Sequence, residues 1–587
     1  MLVPTTDQVR NKNIITRLLS NKNAVLAVGL TGTGKTVLLN GVLLQMFEYT
    51  TMNIVFSAQT SSQKTQEMIE SKLVKRSKNK MIPDGKKMII FIDDLNMPRK
   101  DIYGSQPPLE LIRQWMDYEG WFDRTNRELF KFILDIQFVS AMGPPGGGRA
   151  EISTRIQNKF HVINFVVLSD QQVKRIYQSI LAYKFQEFED EIKLLIEPIG
   201  QATYNLFQMV TNNFLPTPAK SHYVFNMRDI SKVIQGVYQL DRLYCDNKMT
   251  VLRLWAHECL RVFHDRLISV EDRQLCKQLI NDQLVSCLQT TIKECTNENE
   301  DDTVFANFME ESGGKYIEVT YNDRENLKKF LEEKLVQFNT ENKSKAMNIV
   351  LFQEAVHYIC KINRIINLGK GHGMLVGEGG AGRHSLTKLA THIAEYKSWQ
   401  IEVSKNYRMK EFREDIKKWC EEAGFKGVSG TFIFSDNQIA NEGFIEDINN
   451  ILSVGEVPNL FSQKEDYPQI KDRVRKHYRE ENKLDKDAKI QDEDLIEYFF
   501  TRIQNNFHLM ILMSKTGENL RNYCRMYPGL VNNTTMIWFM PWPEQALVEV
   551  ANRYLLQLKL DDELTANIAN AFLEQQKGSK NQKESTM

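Results

Sequence analysis

The stretch Gly29-Leu-Thr-Gly-Thr-Gly-Lys-Thr36 constrains this chain more than any other. It meets the spacing G-x-x-x-x-G-K-[ST] without deviation. Glycines let consecutive backbone N–H groups turn toward phosphate oxygens, in a concavity that a Cβ would obstruct. A helix starting at its end adds partial positive charge. The expected ligand is a nucleoside triphosphate with Mg²⁺. Gly29, Thr31, Gly32, Thr33 and Gly34 would surround the phosphates. Lys35 would reach the β- and γ-phosphates, and the Thr36 hydroxyl would sit on Mg²⁺.

Such a loop needs strands beside it. The apolar run Ala24–Val28 leads into it, and Met88–Ile92 ends in Asp93-Asp94. Asp93 is expected to hold Mg²⁺, directly or through water, and Asp94 to polarise the attacking water. A further apolar run, Phe132–Val139, precedes Ala141-Met142-Gly143.

The order recurs. Met374–Val376 leads into Gly377-Glu-Gly-Gly-Ala-Gly-Arg-His384, Thr431–Phe434 ends in Ser435-Asp436, and Leu509–Met513 precedes Ser514. Strand, glycine loop, helix, strand with acid, and strand with polar turn form the order of a parallel sheet flanked by helices. The fold class is therefore α/β, with two tandem P-loop modules. The division expected is a large subdomain at 1–165, a helical lid at 166–285, a connecting segment at 286–345 and a second large subdomain at 346–540. Residues 541–587 would begin a second, incomplete lid and end in a polar, disordered tail from Gln575. The charged stretch Asn297–Asp302 reads as a loop. Lys464 to Lys489 carries dense charge of both signs and reads as a solvated helical insertion.

The 587-residue length suits three or four units. Lys+Arg and Asp+Glu stand at 75 each, which gives no global electrostatic case for nucleic acid or an acidic membrane surface. No run of about 18 apolar residues is present to span a bilayer. The N-terminus lacks an apolar signal region. Eight scattered cysteines form no C-x-x-C pair, which suits a reducing compartment and argues against a zinc site. A cytoplasmic location is the expectation.

Several longer stretches resemble one family. FIDDLNMPRKDIYGSQPPLELIRQWMDYEGWFDR (Phe91–Arg124) and SAMGPPGGGR (Ser140–Arg149) are similar to the third AAA+ module of axonemal dynein heavy chains. FNMRDISKVIQGV (Phe225–Val237) and RLWAHECLRVFHDRL (Arg253–Leu267) resemble that module's helical lid. GHGMLVGEGGAGRHSL (Gly371–Leu386) and SDNQIANEGFIEDINNILSVGEVPNLF (Ser435–Phe461) resemble the fourth module. The resemblance implies part of a ring ATPase that drives sliding along microtubules in the cilium axoneme. It implies the remaining ring modules and the dynein light and intermediate chains as partners, with microtubules reached only through an intact heavy chain. The first module, the linker, the stalk and the fifth and sixth modules have no counterpart, which implies an incomplete gene model or a divergent remnant. The alternative classes are a stand-alone AAA+ ATPase and a non-catalytic remnant.

The resemblance narrows the ligand to ATP or ADP with Mg²⁺ and also sets residue-level expectations. Gly143 stands where a polar residue senses the γ-phosphate, so hydrolysis is expected to be slow. Arg228 matches the lid arginine that reaches the phosphates. The arginine finger for the first site is expected near Leu530–Thr534, which contains no arginine, and Arg525 lies too early. Asn158 stands where a finger would be lent upstream. In the second loop Gly377, Gly379, Gly380 and Gly382 keep the turn, Arg383 replaces the lysine, His384 takes the Mg²⁺-hydroxyl place and Ser385 comes one residue late. Ser435 replaces the first acid, leaving Asp436. Arginine binds phosphate as a fork but follows a moving γ-phosphate less well than lysine. Tight nucleotide binding with little hydrolysis is expected there. His257 and His264 are read as packed on a helix rather than metal-bound, and Trp538–Glu544 as core at a sheet-to-lid junction.

Overall fold

Short apolar runs bounded by turns pair in parallel when helices cover both faces of the sheet. The computed structural model of the chain describes residues 3–556, apart from 147, 246, 297–303, 309–314, 320–322, 344–345, 463–464 and 484–489. In the first module the strands are β1 (Val25–Gly29), β2 (Tyr49–Val55), β3 (Lys87–Asp93), β4 (Ile136–Met142) and β5 (His161–Phe165). They lie in the order β2-β3-β4-β1-β5, all parallel. Every residue of β4 is buried, and β3 is buried from Met88 to Ile92. Val28 lies opposite Met142, and Ile92 opposite Ser140. The register therefore brings Gly29, Gly143 and Asp93 to one edge, at the carboxyl ends of neighbouring strands. Ligands of open α/β sheets bind at such an edge.

The run Phe132–Val139 is not one strand. Asp135 takes a left-handed conformation (φ 59°) and breaks it. Phe130–Ile133 joins a separate four-stranded sheet with Leu73–Ser77, Lys80–Pro83 and Gly120–Phe122, and β4 starts afterwards.

Helix α1 (Lys35–Leu43) follows the first loop. Beyond β5 the chain is helical: α2 (Asp170–Lys184), α3 (Ile196–Asn213), α4 (Met227–Tyr238), α5 (Lys248–Cys259) and α6 (Val270–Leu288). Helix α4 starts with a reciprocal cap between Asn226 and Asp229 and buries Ile230, Val233, Ile234 and Val237 on one face. The stretch Arg253–Leu267 is not a uniform α-helix. After Cys259 it widens into a π turn, Leu260–His264, and the Asp265 N–H donates to Leu260 O at 3.1 Å. His257 is half-buried with Nε2 at 3.1 Å from Tyr316 Oη, and His264 Nδ1 lies 3.3 Å from Asp265.

The second module repeats the sheet. Helix α7 (Gln353–Ile366) precedes β6 (Gly373–Gly377), and α8 (Arg383–Ile393) follows the second loop. Strands β7 (Lys397–Trp399), β8 (Gly430–Ser435), β9 (Phe507–Ser514) and β10 (Thr535–Trp538) complete it. Their order, β7-β8-β9-β6-β10, matches the first sheet strand for strand. The charged insertion forms α9 (Asp466–Glu481). It is not simply solvated: Ile470 and Val474 are fully buried, and Lys417 Nζ meets Asp466 at 2.8 Å. A helix at Glu544–Leu556 closes the described chain. Asn297–Asp302, Lys464, 484–489 and the tail from Gln575 lie outside the described residues.

The lid of the first module is fixed to the core of the second. Glu258 on α5 meets Arg364 on α7 at 3.0 Å, and Asp265 meets Lys361 at 2.9 Å. Trp538 stacks on His222 with ring centroids 5.2 Å apart, and Phe539 on Tyr358 at 3.9 Å. Of the stretch Trp538–Glu544, Trp538 and Phe539 are thus core at the junction of sheet and lid, Trp542 is half-buried, and Pro541, Pro543 and Glu544 are exposed. All eight cysteines are free thiols. No described helix is long and apolar enough to cross a membrane.

Candidate functional site

The first loop takes the conformation that its glycines permit. Gly32 (φ 88°) and Gly34 (φ 82°) are left-handed, and Gly34 caps α1. A Cβ on Gly29 would lie 2.5 Å from Phe165 O, and one on Gly32 would lie 3.0 Å from Met227 Cβ. The loop is therefore clamped between β5 and the first turn of lid helix α4. Thr33 Oγ1 donates inward to Leu30 O at 2.9 Å, while Thr31 is half-exposed. Lys35 Nζ donates to Gly29 O at 2.8 Å and Leu30 O at 2.7 Å.

Thr36 and Asp93 meet across the sheet edge. Thr36 Oγ1 donates to Asp93 Oδ2 at 2.8 Å, and Asp93 Oδ1 accepts the Asp94 N–H at 3.0 Å. Burial, then the neighbouring charge of Asp94, push the Asp93 carboxyl up. Burial pushes Lys35 down; Asp93 and Asp94 oppose this, while Arg149 and Arg228 add to it. Asp94 adopts φ 52°, a strained region for a side chain larger than glycine. Such strain clusters at functional positions.

Gly143 lies just past β4, and its carbonyl accepts from Asn96 Nδ2 at 2.8 Å. Arg149 covers its bare Cα: a Cβ on Gly143 would lie 2.9 Å from Arg149 Nε. Arg149 Nη2 lies 3.5 Å from Asp94 Oδ1. Asn96 and Arg149 were not singled out in the sequence. The available signal was a glycine-rich turn ending in arginine directly after a position lacking a sensor side chain.

The second module supplies the facing wall. Arg228 Nη1 donates to Asn533 Oδ1 at 2.6 Å, Asn226 Nδ2 to Asn532 Oδ1 at 3.2 Å, and Lys232 Nζ to Thr534 O at 3.0 Å. The segment expected to present a finger thus does face the first site, and it presents amides. Arg525 approaches through its backbone: a Cβ on Gly148 would lie 2.9 Å from Arg525 O. Asn158 ends a short helix, Thr154–Gln157.

The second loop keeps the turn with different chemistry. Gly377 ends β6, and Gly379 lies in the loop. Gly380 (φ 83°) and Gly382 (φ 82°) are left-handed, and Gly382 caps α8. Arg383 donates to Met513 O and, at 3.2 Å, to Glu378 O, so its guanidinium is tied to the end of β9. His384 Nε2 accepts from Gln400 Nε2 at 2.7 Å. Asp436 Oδ2 accepts the Ser514 N–H at 2.7 Å. No Ser385–Asp436 hydrogen bond among the described residues parallels the Thr36–Asp93 bond.

Comparison with known proteins fits this geometry. Residues 1–168 match the family model of a P-loop containing dynein motor region, 176–273 that of the dynein heavy chain ATPase lid domain, and 347–586 that of the P-loop containing dynein motor region D4. Dynein axonemal heavy chain 2 of Homo sapiens is 41% identical over 98% of this chain and 13% of its own length. The Dynein-1-beta heavy chain of the flagellar inner arm I1 complex of Chlamydomonas reinhardtii is 41% identical over 95% of this chain and 12% of its own. Dynein axonemal heavy chain 6 of Homo sapiens is 39% identical over 96% of this chain and 14% of its own. The chain spans roughly an eighth of the length of these relatives. Two nucleotide-binding P-loop modules of AAA+ type, joined by an ATPase lid, place the chain in the dynein heavy chain family, within its motor region.

Proposed function

We propose that the first module is a regulatory ATP–Mg²⁺ site with slow turnover, and that the second module holds nucleotide with little hydrolysis. In this reading they are the third and fourth modules of an axonemal heavy-chain ring, divided at about residues 165, 285, 345 and 540. The rest of the ring, the light and intermediate chains and, through an intact heavy chain, microtubules are the partners. The cilium axoneme is the location.

The observation that carries the proposal is the Thr36–Asp93 hydrogen bond of 2.8 Å beside a complete phosphate loop. The pair fits a divalent cation: a hydroxyl and a buried carboxylate, both hard oxygen donors, converge there. Bound Mg²⁺ would neutralise charge on the phosphate oxygens. Lys35 would exchange its loop carbonyls for the β- and γ-phosphates. Arg228 would bind the phosphates from the lid. Asp94 would orient the attacking water. Slow turnover follows from Gly143, which has no side chain to orient that water, and from the amides of Asn532 and Asn533 at the finger segment. In the second module Arg383 and Asp436 would face the phosphates, and among the described residues Ser385 makes no hydrogen bond to a carboxylate that would form a matching metal site.

The test is nucleotide affinity and turnover of the purified chain, with Lys35→Ala as control. Binding on the order of micromolar at the first site, lost in the variant while the second module keeps its nucleotide, with turnover far below that of an active motor, is the expected result. A chain that binds no nucleotide would end the proposal.

A further inference from the structure

Arg149 occupies an unusual place. Its side chain lies across Gly143, where a sensor side chain would stand, and reaches toward Asp94 at 3.5 Å. Backbone hydrogen bonds fix it there. Gly146 and Arg149 exchange N–H···O bonds of 3.0 and 3.1 Å, and the Ala150 N–H donates to Asn96 O at 2.9 Å. Its Nε is buried and has no hydrogen-bond partner among the described residues. A buried guanidinium N–H left without an acceptor is costly, and such groups mark places where a ligand atom is expected. Only glycine at 143 leaves room for this arrangement. The facing wall contributes Asn532 and Asn533, with no guanidinium of its own on the lid contact.

We propose that Arg149 is the γ-phosphate ligand of the first site, a single cation in cis where other AAA+ sites use two separate residues. This rests on reading the first module as an ATP site. Arg149 neutralises charge on the γ-phosphoryl oxygens as the transition state forms. In that step the water oxygen bonds to the γ-phosphorus and the bond to the β–γ bridging oxygen breaks, its electron pair staying on ADP. The water proton passes to Asp94, and the phosphoryl group leaves as inorganic phosphate. Moving Arg149 onto the γ-phosphate also releases Asp94 from the ion pair, so the general base is freed only when ATP is present.

The experiment compares wild type, Arg149→Ala, Arg149→Lys and Lys35→Ala in the full chain. It reads affinity for ADP and for ATPγS, and trapping of ADP with aluminium fluoride. Arg149→Ala is expected to keep ADP affinity within about threefold, to lose about tenfold or more for ATPγS, and to abolish trapping. Millimolar guanidinium should restore part of the trapping, and Arg149→Lys should retain part of it. Wild-type trapping in Arg149→Ala overturns the proposal. So does an equal loss of both nucleotides, which would mark Arg149 as a purely structural residue. Lys35→Ala separates the two claims: if it binds both nucleotides with the stoichiometry of wild type, the ATP-site reading itself fails.

Discussion

Replacing Glu258 with alanine should detach the lid of the first module from the core of the second. Glu258 is fully buried and lies between two arginines, Arg261 Nη2 at 2.7 Å and Arg364 Nη2 at 3.0 Å. Arg364 also lies over the Tyr316 ring, 3.9 Å from its centroid. At an effective dielectric of about 20, each ion pair contributes about 4 kcal/mol of attraction. Alanine removes both attractions and leaves two buried guanidiniums facing each other. Release of the burial penalty of Glu258 offsets part of the loss, as does water entering the adjoining cavity of about 130 Å³. The expected net loss is about 3–5 kcal/mol. Urea unfolding followed by circular dichroism and tryptophan fluorescence measures it, because Trp255 and Trp538 flank the junction. Gly236→Ala should act at the same place, since its methyl would fall 1.9 Å from Glu258 Oε2. The combination Glu258→Leu, Arg261→Met and Arg364→Met should recover most of the loss, because an apolar cluster has no charge to leave unpaired. A loss below about 1 kcal/mol for Glu258→Ala, or a triple variant no better than the single one, would refute the reasoning.

Gly32→Ala must adopt φ 88° and meets Met227 at 3.0 Å, so it should lift the lid from the loop. Nucleotide affinity should drop about tenfold or more, and the strained backbone should lower stability by about 1–2 kcal/mol. Desolvation depresses His222, His257 and His508 to about 4, and His372 to about 3. Unfolded histidines protonate near pH 6.5, so stability should be full above that pH and fall as pH drops toward 4, by about 1.4 kcal/mol per pH unit for each histidine. Glu258 acts later: burial raises its pKa, but Arg261 and Arg364 outweigh it and hold it at about 2. Its contribution is present above about pH 4.5 and is lost as pH falls through about 2, so a urea-midpoint profile flat from pH 7 to 4 would count against the buried neutral histidines. Arg383→Ala frees the second loop from Met513 O and Glu378 O and should cost about 1–3 kcal/mol in the same melts, without altering ATP affinity at the first site.

Both phosphate loops, the strand leading to Asp93-Asp94 and the helix at Met227 were legible because each depends on local pattern: residue spacing, apolar runs and caps. The matching order of the two sheets was legible as a repeat of motifs. Other features depended on φ at single residues or on distant contacts. Asp135 breaks an apolar run by turning left-handed, and the π turn after Cys259 carries the same apolar spacing as the helix before it.

By itself, the sequence determined where a P-loop and an acid pair stand along the chain, because these follow from spacing along one stretch of chain. Only the tertiary structure decided what faces that loop from elsewhere. It lays Arg149 over Gly143, seats Met227 against Gly32, and brings Asn532 and Asn533 of the second module to the lid helix of the first. Those contacts join residues up to 306 positions apart. Their geometry comes from the packing of whole subdomains, which no local pattern encodes.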